Sequence, residues 1–129
     1  EREMIAVVVS CANRCVYCIT SHSQAVREFS GDPVLGDILT VNYREANLTD
    51  RQRTILDHAW KMTTAPSLTG RPDRIILEEA GLSPEEIFDV NDVIAYFNYT
   101  NRMTHGLGMQ PNEYYFGRNR LPDPSKNGN

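Results

Sequence analysis

At 129 residues, 40% hydrophobic and 23% charged, the chain can bury one sizeable core and is expected to form one domain over residues 1–129. A formal net charge of -4 and a pI ≈ 5.3 argue against the basic face that nucleic acid or an anionic membrane surface attracts, so neither is expected as a partner. The longest apolar run, Met4-Ile5-Ala6-Val7-Val8-Val9, is far below the roughly 18 residues of a transmembrane helix.

The chain opens on Glu1 rather than Met, as a fragment or trimmed chain would, with a start codon expected upstream. Residues 1–12 carry two signals. The run Val7-Val8-Val9 favours a strand, whereas Glu1-Arg2-Glu3-Met4 is a good helix start. Asn13 marks a break. Cys15 to Phe29 is expected as a second helix with Val16, Ile19, Ala25, Val26 and Phe29 apolar, stopped by Gly31-Asp32-Pro33, after which a short helix runs to about Asn42. Thr49 to Gln52 fits a capping box. The helix behind it places Ile55, Leu56, Ala59, Trp60 and Met62 on one side and ends near Thr64, before Pro66.

Pro72 to Ala80 predicts a short helix closed by Gly81 at C′. Ser83-Pro84-Glu85-Glu86 combines a Ser N-cap, Pro at N1 and Glu at N3. It opens a long helix with Ile87, Val90, Ile94, Phe97 and Asn101 on one stripe and Val93, Tyr96 and Met103 beside it, ended by Gly106 and Gly108. From about residue 111 to 129 an extended, frayed tail is expected, with Pro111, Pro122 and Pro124. With no hairpin, βαβ pattern or repeat, the expected architecture is an all-α bundle.

Chemistry concentrates in Glu3, Cys15, Cys18 and His22, the pattern E-x11-C-x2-C-x3-H. Two thiols, an imidazole and a carboxylate supply an attacking group, a resolving group and two proton carriers. On a helix Cys18 and His22 lie one turn apart on one face. A free thiol is only a few per cent ionised at neutral pH, and a helix N-terminus and a nearby imidazole both favour the thiolate. Cys18 is nearer His22 in spacing and is taken as the attacking thiol. Cys15 would then close a disulfide on the oxidised Cys18, with Glu3 orienting His22 or passing protons.

Taken singly, each cysteine is more simply a small buried hydrophobe; the clustering with helical register argues otherwise. Cys11, Cys15 and Cys18 fall within eight residues, unlike the dispersed, even-numbered cysteines of a secreted scaffold, and point to a cytoplasmic redox or metal site. Three alternatives use the same residues. Cys11-x3-Cys15-x2-Cys18 matches an iron–sulfur cluster signature, although the helical remainder does not suit the radical-enzyme fold that carries it. Cys11, Cys15, Cys18 and His22 also make a Cys3His zinc set, although structural zinc usually draws ligands from two segments. Finally, the pair alone could serve as a redox sensor without efficient turnover.

Other polar and aromatic residues have plain structural readings. His58 is expected to be structural or exposed, and His105 to cap carbonyls at the end of the long helix. Tyr96, Phe97 and Tyr99 are taken as core and interface, and Tyr114-Tyr115-Phe116 as a loop that docks on a partner subunit. Asn98 and Asn101, one turn apart, either satisfy buried backbone or face a pocket.

The chain resembles the AhpD-like superfamily, which includes the carboxymuconolactone decarboxylases, and within it the branch of uncharacterised peroxidase-related proteins. The resemblance rests on Glu-Arg-Glu-Met-Ile at 1–5, Ser10, Asn13, Cys15-Val16-Tyr17-Cys18, His22, Ala80-Gly81-Leu82-Ser83 and Phe97-Asn98-Tyr99-Thr100-Asn101-Arg102. It implies a compact all-α bundle with the CxxC on a helix, assembled as a homo-oligomer, a dimer or a trimer of dimers. It also implies reduction of a small hydroperoxide, with Cys18 peroxidatic, Cys15 resolving and Glu3 with His22 as proton relay. No metal or organic cofactor is implied, and an external thiol or lipoyl-type reductant would regenerate the pair. Two departures stand out. Some members carry a His just before the second cysteine, where this chain has Tyr17, and members of the branch are usually longer at the N-terminus, with a further segment expected to pack on this core. The decarboxylase branch lacks the cysteine pair, which argues against decarboxylation here.

Overall fold

Seven consecutive residues of the first helix, Met4 to Ser10, are buried, and the molecule is organised around them. The computed structural model describes residues 1–121 and contains helices only among them. They are α1 (Arg2–Ala12), α2 (Val16–Ser30), α3 (Leu35–Asn42), α4 (Asp50–Thr64), α5 (Arg71–Glu79), α6 (Pro84–Gly106) and α7 (Tyr114–Gly117), with 3-10 turns at Tyr43–Glu45 and Pro66–Leu68.

The valine run is helical because α1 lies at the centre, packed by α2, α3, α4 and α6. A helix buried on every side needs no polar face. Burying each valine contributes about 1.5–3 kcal/mol, which outweighs the few tenths of helix propensity lost to β-branching.

Local signals set most boundaries. Thr49 and Gln52 form a reciprocal capping box on α4, and Ser83 and Glu86 do the same on α6. The α6 stripe buries Ile87, Val90, Ile94, Phe97 and Asn101 as expected, and continues to Thr104. Tyr96 and Met103 instead lie on its exposed flank. On α2 only the middle of the expected apolar face is covered. Val26 is buried, while Val16 in the first turn and Phe29 in the last are exposed. Phe29 lines an open cavity with Glu1 to Met4, Val26 and Leu35.

Gly36 brings α3 close to α2, because a Cβ there would meet the Ser23 carbonyl oxygen at 2.6 Å. The Tyr114 segment differs from expectation. It is a helical turn docked on α2 of its own chain, with Tyr115 edge-on to Tyr17 at 6.3 Å. The buried Arg27 fastens it by donating to the carbonyls of Arg118 (3.0 Å) and Tyr115 (3.3 Å). Both carbonyls are thus bonded by one side chain in the last turn of α2. The rest of the expected tail, residues 122–129, lies outside the described residues.

Candidate active site

The two cysteines owe their placement to a turn. Helix α1 ends in a Schellman motif: the Cys15 amide donates to Ser10 O (2.9 Å) and the Arg14 amide to Cys11 O (3.1 Å). Arg14 sits at C′ with φ 54, the left-handed conformation. The residue that completes this motif, Cys15, is also the N-cap of α2. Cys18 follows in the first turn, where backbone N–H groups lack helical partners and the dipole favours negative charge. Both are almost fully buried, Cys15 at 1% and Cys18 at 4% exposure.

Helix α6 clamps this turn. Asn13 donates from Nδ2 to Oδ1 of both Asn98 and Asn101, each at 3.0 Å. Asn101, fully buried, donates in turn to Ser10 Oγ at 3.0 Å, and Asn98 to Thr63 Oγ1 at 3.1 Å. His105 Nε2 bonds the Asn13 carbonyl at 3.0 Å, so it closes the end of α1 rather than capping its own helix as expected. The two asparagines therefore satisfy the turn that presents Cys15. His58, outside this region, bonds Asn91 Oδ1 at 3.0 Å.

Glu3 and His22 meet across α1 and α2, with Glu3 Oε2 accepting from His22 Nδ1 at 2.6 Å. Both side chains are a quarter exposed. A carboxylate on Nδ1 fixes the tautomer and leaves Nε2 as the accepting nitrogen. The Phe97 ring holds the imidazole edge-on at 4.7 Å. Among the described residues no hydrogen bond joins His22 directly to Cys18, so a proton passing between them needs water or substrate as a bridge. The Cys18 sulfur lies 3.6 Å from Thr104 Oγ1.

The thiols differ in character. Burial, reinforced by the Cys18 thiol, pushes the Cys15 thiol up to about 11, against the lowering pull of the Cys18 backbone N–H and the Thr104 hydroxyl. Cys15 thus keeps its proton at neutral pH. Cys11 points elsewhere: its thiol donates to Thr40 O on α3 at 3.4 Å, and burial raises it to about 11. Among the described residues no three His, Cys, Asp or Glu side chains converge in metal-binding geometry. A cleft of about 180 Å³ reaches Cys15, lined by Arg14, Tyr17, Thr104, His105 and Met109 among others.

The sequence points to Glu3, Cys15, Cys18 and His22, marks Asn13 only as a helix break and part of the resemblance, and does not single out Thr104. Thr104 falls one turn beyond Asn101 on the same stripe, and that register was the available signal.

Comparison with known proteins places these observations among relatives. The model of the carboxymuconolactone decarboxylase family matches residues 1–34. No curated protein matches the chain. An uncharacterized peroxidase-related protein from Silicibacter sp. TM1040 is similar in structure, with a TM-score of 0.90 and 48% identity over 92% of this chain. An uncharacterized peroxidase-related protein from Ralstonia eutropha JMP134, described as an alkylhydroperoxidase AhpD core, has a TM-score of 0.89 and 37% identity over 95% of this chain. The chain spans 62% and 64% of the length of these two structures.

Proposed function

The chain belongs to the AhpD-like superfamily, and from that premise we propose that it is a thiol-dependent peroxidase that reduces hydroperoxides through Cys15 and Cys18. The observation that carries the reading is the pair itself. Two thiols stand at the N-terminus of α2, one keeping its proton through burial, with a carboxylate-oriented imidazole one turn farther along.

The Cys18 thiolate attacks the terminal oxygen of the hydroperoxide, and the O–O bond breaks. His22 Nε2, which takes the Cys18 proton through water as the thiolate forms, returns it by the same route to the departing alkoxide, which leaves as alcohol. Cys18 is then a sulfenic acid. The Cys15 sulfur attacks the Cys18 sulfur, its proton joins the leaving hydroxide, and water departs as the disulfide closes. An external dithiol returns two electrons by exchange, becoming a disulfide itself and restoring both thiols.

The test is consumption of an organic hydroperoxide with a dithiol donor. Cys18→Ser is expected to abolish turnover, and Cys15→Ser to accumulate a sulfenic acid on Cys18 that a dimedone-type probe captures. Sustained turnover by Cys18→Ser would remove the proposal.

A further inference from the structure

Helical threonines ordinarily spend their hydroxyl on a carbonyl one turn back. Thr20, Thr40, Thr54 and Thr64 each donate to the carbonyl four residues earlier, and Thr100 to the one three residues earlier. Thr104 departs from this habit. It is buried, at 7% exposure, and its Oγ1 lies 3.6 Å from the sulfur of Cys18, 86 residues away, while its hydroxyl also bears on the Cys15 thiol. Its place is set by the stripe that also buries Phe97 and Asn101, and Asn101 locks α6 to the turn before Cys15. The hydroxyl is therefore held against the sulfur by the packing of α6 on α1 and α2, with its donor uncommitted to the backbone.

We propose that Thr104 stabilises the Cys18 thiolate by donating its hydroxyl hydrogen to the sulfur. A hydroxyl both accepts and donates, so it serves the thiol and the thiolate alike. It gains most when the sulfur is charged, because a hydrogen bond to a charged group is the stronger kind. The residue thus raises the share of Cys18 able to attack, and it offers the same donor to the sulfur as leaving group when a dithiol reopens the disulfide. The inference rests on Cys18 as the attacking thiol, and its test reads the thiolate without any peroxide.

The test is the pH dependence of iodoacetamide alkylation of Cys18, in protein carrying Cys11→Ser and Cys15→Ser so that Cys18 is the sole thiol. Thr104→Val, nearly isosteric, removes the donor. Losing a hydrogen bond to the thiolate is expected to cut its population about tenfold at neutral pH, while the remaining thiolate becomes about threefold more nucleophilic. The variant should therefore alkylate about threefold more slowly at pH 7 and about threefold faster near pH 11, so that the two profiles cross. Thr104→Ala should show the same crossing, and Thr104→Ser should follow the parent profile. Coincident profiles, or a deficit of constant size at every pH, would overturn the proposal, as would a Ser variant that behaves like Val. If the crossing appears but Cys18-dependent peroxide turnover does not, the peroxidase reading fails and the role of Thr104 stands.

Discussion

Asn101→Ala tests whether the asparagine network is what holds the turn before Cys15. Asn101 is fully buried. Its Oδ1 accepts from Asn13 and its Nδ2 donates to Ser10 Oγ, both at 3.0 Å. Two such bonds contribute about 1 kcal/mol each. Asn13 keeps a second acceptor in Asn98 Oδ1, but the Ser10 hydroxyl, also fully buried, loses its donor. Stranding a buried polar group costs about 1–3 kcal/mol more, so the expected loss is about 3–5 kcal/mol, a large share of the 5–15 kcal/mol typical of a folded domain. The assay is urea unfolding followed by circular dichroism, on Asn101→Ala, Ser10→Ala and the double variant. Removing both partners leaves neither stranded, so the double variant should be more stable than the sum of the singles implies, by about 1–2 kcal/mol. A loss below 1 kcal/mol, or strict additivity, would show that packing of α6 alone positions the turn.

Two further expectations follow from the same region. Helices α1, α5 and α6 end in the same hydrogen-bond pattern; Gly81 and Gly108 hold the left-handed position in two of them, and Arg14 holds it at the cysteines. Arg14→Gly should relieve about 1–2 kcal/mol of backbone strain, offset in part by glycine's greater freedom when unfolded, for a net gain of about 1 kcal/mol and a rise of a few degrees in melting temperature; a lower melting temperature would refute it. The raised thiols of Cys11 and Cys15, both about 11, make the fold sensitive to alkali. Between the ordinary thiol range near 9 and about 11 the unfolded chain releases these protons first, so stability present below pH 9 drains away as pH rises, by up to about 1.4 kcal/mol per pH unit per thiol. Urea midpoints at pH 8, 9 and 10 should fall less steeply for Cys11→Ala than for the parent, and equal slopes would count against it.

Local chemistry was enough to make the helices legible. The Thr49 and Ser83 caps, Gly81 as a C′ residue and the Ile87-to-Asn101 stripe each act within a few residues, so position along the chain carries the information. The spacing of Cys15, Cys18 and His22 likewise follows from residues on one helix. What the sequence left open was decided by partners far along the chain. Val7-Val8-Val9 became helix because four other helices bury it, and the Tyr114 segment folded back onto α2, where Arg27 bonds two of its carbonyls. The sulfur of Cys18 met Thr104, Asn13 met Asn98 and Asn101, and Glu3 met His22 only after α6 and α1 had packed against α2. Periodicity tells which face of a helix is buried, whereas the atom that faces each polar group depends on the register and crossing of helices that no local pattern encodes.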